Sequence, residues 1–305
     1  MKRATVKVPH FQRLRSRGFH FTPDISPVIA RAFTLVELLV VLCVVCLLAA
    51  TLVPTLAGSR IGSQTFRCQN NNRQLSVAWK MYADDNNDRV VYSSGDSISN
   101  VSYAWTRTIM DFDPSNTGNW DTNVDIVKGP LWPYTSKDAS IYRCPSDHSY
   151  VVTTAGVAKA RVRSFSMNLY AGGFAPTTGS GPGTDGGLAP SYRIFSKTTD
   201  LTAPGPAKTF VFIDMRPEVI NWGNFFTDMT GFFPNNPAQY RFTGDYPSIF
   251  HNLGASVSFA DGRAEIHRWQ DARSAPPLTG QPPGQTPSPN NVDIAWLQVR
   301  ATSPK

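Results

Sequence analysis

Hydrophobic and polar positions alternate unevenly along this 305-residue chain. Residues 33–57 read FTLVELLVVLCVVCLLAATLVPTLA, with Glu37 as the only charge. Some twenty apolar residues at about 1.5 Å rise match the roughly 30 Å hydrocarbon layer of a bilayer. The run predicts a single membrane-spanning helix. An ordinary secretory signal has an apolar core of about 7–15 residues ending in a small-residue cleavage site, and this run is too long for one. A carboxylate at the centre of a membrane helix costs roughly 2.5–3.5 kcal/mol. Glu37 sits in the first turns, where the helix dipole and a nearby amine lower that cost. A charge retained there asks for a role.

Helical spacing continues beyond the run. Ile61, Cys68, Leu75, Ala78, Trp79 and Tyr82 fall near one stripe, which predicts a helix face laid on a globular domain. A helix from Phe33 to Ala83 would be about 75 Å long. Pro54 should kink it, and Gly58 and Gly62 weaken it locally. Asp84-Asp85-Asn86-Asn87-Asp88 then supplies turn formers that end it. The spacing of Asp84, Asn86 and Asp88 matches the opening of a calcium loop, but Arg89 replaces the required Gly and Gly95 stands where the bidentate Glu belongs. A solvated turn is the reading kept.

The rest is broken into short pieces. Arg89–Tyr92, Val101–Ile109 and Ser140–Cys144 look strand-like or turn-like, and Thr209–Asp214 reads as a buried strand. Residues 171–190 hold seven Gly and three Pro, a surface loop, and residues 275–290 hold six Pro, an extended arm. Asn291–Val299 reads as a last short helix or strand. Around Asp261-Gly262 the pattern is that of a hairpin with a two-residue turn. That register sets Phe259 opposite Ala264, Ser258 opposite Glu265, Val257 opposite Ile266 and Ser256 opposite His267. One face is then apolar and the other polar, as in a half-buried antiparallel pair.

Composition agrees with a loop-rich sheet domain: 41% hydrophobic, 17% charged, 22 Gly and 24 Pro. The fold class expected is α+β, a long N-terminal helix, transmembrane in its first half, packed on an antiparallel β-sheet domain. The net charge of +7 suggests nucleic acid until it is located. Seven of the 29 Lys/Arg and one acid fall in residues 1–32, leaving 22 basic and 21 acidic groups in the remainder. The excess is a leader, not a DNA-binding face, and it orients the span with residues 58–305 outside.

Arg31-Ala32-Phe33-Thr34-Leu35-Val36-Glu37-Leu38-Leu39-Val40 resembles the type IV prepilin signature shared by pilins and type II secretion pseudopilins. The resemblance implies that a prepilin peptidase cuts between Ala32 and Phe33 and methylates the new Phe33 terminus, making Glu37 the fifth residue of the mature chain. Ala32 stands where Gly is usual. In a bundle of such helices the Glu37 carboxylate would be buried and need a partner. The α-amino group of Phe33 on an adjacent subunit is the natural one, and the pair would set assembly register. His251, nine residues, then Asp261-Gly262 is similar to the H-X9-DG domain found behind prepilin-type leaders. Cys68–Leu75, Met81–Asn86, Leu131–Tyr134 and Arg143–Asp147 also look like those families. The resemblance covers most of 31–270 and leaves out 171–190 and the C-terminal tail.

Candidate chemistry is sparse. Cys43-Val-Val-Cys46 has redox spacing but lies in the apolar run, away from any cation that would lower a thiol pKa. Cys68 and Cys144 lie in polar segments; a disulfide between them, closing about 75 residues and worth roughly 4 kcal/mol, and two free buried thiols read alike in sequence. His251, Asp261 and His267 make an awkward metal set, since His267 lies far from the turn. No metal, no cofactor and no catalytic residue is expected. Trp105, Trp120, Trp132 and Trp222 read as core rather than as a glycan platform. The expected organisation is a removed leader (1–32), an assembly helix (33–57), its continuation (58–83), an α+β domain (84–270) and a Pro-rich tail (271–305). The expected protein is a structural pseudopilin-like subunit and not an enzyme. It would be single-pass in the bacterial inner membrane with its C-terminal domain periplasmic or cell-surface. Its partners would be prepilin peptidase, other pilin-like subunits and the membrane, not nucleic acid. The alternative is a membrane-anchored binding module, for a glycan or a protein, that forms no filament.

Overall fold

The computed structural model describes residues 34–95 and 101–305, with side chains throughout except at 49–61 and 101. Ala32 and Phe33, the expected cleavage junction, lie outside the described residues. Helix α1 is assigned over Leu35–Asp85. The chain divides after Val53 into two compact units, and each is described by itself.

In the first unit, α1 begins with a capping box. The Glu37 amide donates to Thr34 Oγ1 (3.2 Å), and the Glu37 carboxylate accepts from the Thr34 amide (2.8 Å) and hydroxyl (2.7 Å). Two helix-end donors are satisfied reciprocally. From Leu35 to Leu48 every side chain is exposed, the large apolar ones by 48–79%. Among the described residues no helix is long and apolar enough to cross a membrane. The single-pass inner-membrane anchor, and the transmembrane first half of the expected fold class, are corrected accordingly.

The second unit is built on a five-stranded sheet. Its strands are β1 (Phe165–Asn168), β2 (Phe210–Asp214), β3 (Asn224–Phe225), β4 (Gly254–Phe259) and β5 (Ala264–Arg268), in the order β5-β4-β2-β1-β3. The first three pairings are antiparallel and β1 with β3 is parallel. Three further two-stranded sheets pair Ser94–Gly95 with Phe174–Ala175, Tyr150–Val152 with Ala158–Ala160, and Arg241–Thr243 with Gln285–Pro287. The pilin-like arrangement, one long membrane-spanning helix continued onto one antiparallel sheet, is therefore corrected in the sheet as well. The sheet is mixed and the strands are dispersed. The cause is local: Gly and Pro punctuate the chain, and 101–142, partly read as strand-like, folds into turns and 3₁₀ helices such as Val101–Tyr103 and Ala139–Tyr142.

Both faces of the sheet are covered. On one face, α1 lays down Cys68, Asn72, Leu75, Ser76, Trp79 and Ala83, all fully buried at i+3/i+4 spacing. Cys68, Leu75, Trp79 and Ala83 join Trp105, Tyr142, Phe165, Met167 and Phe212 in one core. On the other face, Phe210, Ile213, Val257 and Phe259 meet Tyr246, Trp269 and helix α2 (Val292–Ala301). α2 is capped by Asn291, whose side chain accepts from the Asp293 and Ile294 amides. It sends Ile294, Leu297 and Ala301 into this second core, so 271–305 belongs to the packed domain and is more than a tail.

The β4–β5 hairpin forms with a register one residue away from the expected one. Ser258 faces Ala264, Val257 faces Glu265 and Ser256 faces Ile266. The Phe259 amide donates to the Arg263 carbonyl (2.9 Å) and Gly262 has φ +95°. The loop is thus Ala260-Asp261-Gly262, three residues with Gly at the left-handed position. The serine face does not meet water. The Asn72 amide group donates to the Ser256 carbonyl (2.9 Å) and hydroxyl (3.1 Å), and the Ser76 hydroxyl donates to the Phe259 carbonyl (2.6 Å). Small polar side chains let α1 approach the strand closely.

Candidate functional site

Four segments converge at the end of β2. Asp214 is the last residue of that strand, and its carbonyl accepts from the Ser248 amide (2.8 Å). Cys68 projects from α1. Cys144 follows the Ala139–Tyr142 turn, with its amide donating to Ser164 Oγ (2.6 Å). His251 stands in the tight turn before β4, where Asn252 and Leu253 take positive φ. Three of these side chains are fully buried and His251 is 2% exposed.

Their donor atoms meet. Cys144 Sγ lies 3.2 Å from His251 Nε2, His251 Nε2 lies 3.4 Å from Asp214 Oδ2, and Cys68 Sγ lies 3.6 Å from the same Oδ2. One donor atom from each of the four residues falls within 4.8 Å of the others. The far ring nitrogen, His251 Nδ1, contacts Thr65 Oγ1 of α1 at 3.2 Å. Asp214 Oδ1 is buried without a hydrogen-bond partner.

Burial sets the electrostatics. It raises the Asp214 carboxyl above its ordinary range, against the lowering effect of His251. Burial alone would lower the His251 pKa, but its contacts with Asp214 and Cys144 overcome this and raise it to about 9. Burial, then Cys144 and Asp214, push the Cys68 thiol up, which disfavours the nucleophilic thiolate. Open clefts reach two edges of the cluster, one lined by Thr65, Gln69, His148 and His251, the other by Arg67, Cys144, His148 and Arg161.

The residues singled out in the sequence are redistributed. Cys68 and Cys144 are brought together, as free thiols. His251 joins them, but its motif partners do not. Asp261 accepts from the Arg263 amide and pairs with the Arg263 guanidinium at 3.6 Å, and Gly262 supplies the turn. β4 separates the two ends of the H-X9-DG element, so the nine intervening residues span one strand and its flanking turns. α1 runs along that strand: Thr65 touches His251 at one end, and Lys80 donates to the Asp261 carbonyl (3.5 Å) at the other. His267 stacks on Trp296 at 3.8 Å, with Nε2 3.8 Å from Asp293. Trp105 is buried, and Trp120, Trp132 and Trp222 are half-buried, so they form no exposed platform. Glu37 caps α1. Cys43 and Cys46 are exposed.

Asp214 is the residue that sequence reading missed. It closes a strand of four apolar residues, where a carboxylate must be either solvated or matched by a ligand, and that misplaced charge was the available signal. Comparison with known proteins adds no assignment: no protein-family model, no curated protein and no solved structure matches this chain.

Proposed function

We propose that the chain is a structural, non-catalytic subunit of a pilin-like assembly of the type IV pilus or type II secretion kind. In this reading a prepilin peptidase cuts it between Ala32 and Phe33, methylates Phe33, and thereby frees a helix that joins copies or relatives. One observation carries the reading. The helix from Leu35 to Leu48 is apolar on every side and exposed on every side, without a polar face. A helix of that kind has to be covered all round, and helices of its own kind supply such a cover. The prepilin-type segment at its head and the cap at Thr34 and Glu37, which keeps the first turn wound, point the same way.

Two measurements test it. Peptide mass spectrometry of protein from its native cells should find a chain beginning at N-methyl-Phe33. Oxidative cross-linking should couple copies through the exposed Cys43 and Cys46, giving a ladder that a Cys43→Ala/Cys46→Ala variant loses. An intact Ala32–Phe33 bond together with no ladder overturns the proposal.

A further inference from the structure

We infer that Cys68, Cys144, Asp214 and His251 form a closed, tetrahedral site for a zinc-like divalent metal ion, which pins α1 to the sheet. The inference is independent of the assembly reading and stands on the second unit alone.

Geometry comes first. Bonds of about 2.3 Å to sulfur and 2.0–2.2 Å to nitrogen and oxygen place tetrahedral ligand atoms roughly 3.3–3.8 Å apart. Three of the six donor separations, at 3.2, 3.4 and 3.6 Å, already match that edge length within a few tenths of an ångström, and the others, all within 4.8 Å, close to it by a contraction of about 1 Å at most. The four donors come from four separate segments, so no local turn or cap explains why they meet. Disulfide pairing would use the two sulfurs and leave the Asp214 carboxylate with His251 and the Ser248 hydroxyl as its polar neighbours.

Polar bookkeeping points the same way. A fully buried carboxylate whose contacts are a sulfur at 3.6 Å, an imidazole at 3.4 Å and a nearby Ser248 hydroxyl that is not aligned for a hydrogen bond, and whose Oδ1 has no hydrogen-bond partner, is poorly compensated. A divalent cation at the centre supplies the positive charge that Oδ2 faces into the cluster without. His251 is already oriented for ligation. Thr65 Oγ1 holds Nδ1, which leaves Nε2 aimed into the cluster, the arrangement by which an outer hydrogen bond fixes a ligand histidine.

The donor set selects the ion. Two sulfurs, one imidazole and one carboxylate suit zinc or a close relative, and are unsuited to calcium or magnesium, which take oxygen shells. All four protein donors are used, so no open coordination position remains for a reacting water. On binding, Cys68 and Cys144 each give up a proton to solvent, His251 gives up the proton on Nε2 and ligates as the neutral ring, and Asp214 ligates as the carboxylate.

The full chain, purified without chelator and then incubated with zinc alone and desalted, should carry one zinc per chain. The same should hold for a Cys43→Ser/Cys46→Ser variant. Cobalt(II) in place of zinc should give the intense visible absorption of a tetrahedral thiolate site, a reading that needs no substitution in the cluster. Thr65→Ala keeps all four donors and should weaken zinc binding 10–100-fold. Cys68→Ser, Cys144→Ser and Asp214→Asn should each lose the stoichiometric metal. Wild-type protein with no more zinc than a Cys68→Ser/Cys144→Ser variant overturns the inference. So does a cobalt spectrum without thiolate character. A Cys68–Cys144 disulfide in a non-reduced digest of the freshly purified protein also overturns it.

Discussion

Glu37 combines two properties that substitution separates: an oxygen that accepts from the Thr34 amide, and a negative charge. Gln reproduces the first, because its side-chain carbonyl closes a capping box as Glu does, and removes the second. If the residue acts through the cap, Glu37→Gln should assemble like wild type, while Glu37→Ala assembles poorly because the first turn loses its reciprocal bond. If the charge pairs with a neighbouring amine, both variants should fail alike in the cross-linking ladder. The Thr34-x-x-Glu37 spacing is itself a capping signature, legible in the sequence, although the apolar run around it equally suits lipid or a partner subunit. His251 shows the opposite case. Its spacing to Asp261 is visible, yet its contacts are Cys144, 107 positions away, Asp214, and Thr65, 186 positions away. Local periodicity carries no record of contacts at that range.

The β4–β5 hairpin and α1 are coupled elements, and Asn72 is where they are tied. Its amide group reaches the Ser256 carbonyl, the Ser256 hydroxyl and, at 3.4 Å, the Phe212 carbonyl. Asn72→Ala leaves these acceptors buried without that donor, which should cost roughly 1–3 kcal/mol. The measurement is a lowered urea midpoint with an unchanged m-value; a midpoint equal to wild type would remove the tie. At this scale much was readable. Of the stripe, Cys68, Leu75, Ala78 and Trp79 are buried, Tyr82 is half-buried and the Ile61 side chain lies outside the described residues; the turn after Asp85 forms, Phe210–Asp214 is a strand, and the hairpin exists. Register was the weak point, because Asp-Gly serves both as a two-residue turn and as the last two positions of a three-residue loop. The faces of β4 were misread for a related reason. Alternating Ser and apolar positions mean one wet face only if nothing covers it, and here α1 covers the serines. Pairings between very short strands, such as Asn224–Phe225 joining β1 in parallel, leave almost no pattern to read.

Over the whole molecule, folding stability should carry the imprint of acids buried in the second unit. Asp245 is the clearest. Burial pushes its carboxyl up to about 7, although the Phe226 amide, donating to Oδ2 at 2.6 Å, pulls the other way. In the unfolded chain the same group titrates near 3.9. Between these values the folded protein holds a proton that the unfolded chain has released. The proton-linked stability from this residue is therefore complete below about pH 4 and is lost as pH rises toward 7. Asp228 and Asp293 act in the opposite sense. Burial opposes ionisation at both, but their hydrogen bonds win and hold them below the ordinary range, so their contributions fade only as pH falls below about 4. Asp214 and Asp125 are raised by burial too, so the slope of the wild type is shared. A difference measurement isolates Asp245. Asn in its place keeps an oxygen for the Phe226 amide and cannot ionise. Asp245→Asn should gain on wild type by roughly 1–3 kcal/mol between pH 4 and pH 8 in urea unfolding, with most of the gain accrued by pH 7. Parallel stability profiles for the two proteins across that range would mean that Asp245 is ionised in the folded state with compensation from its surroundings.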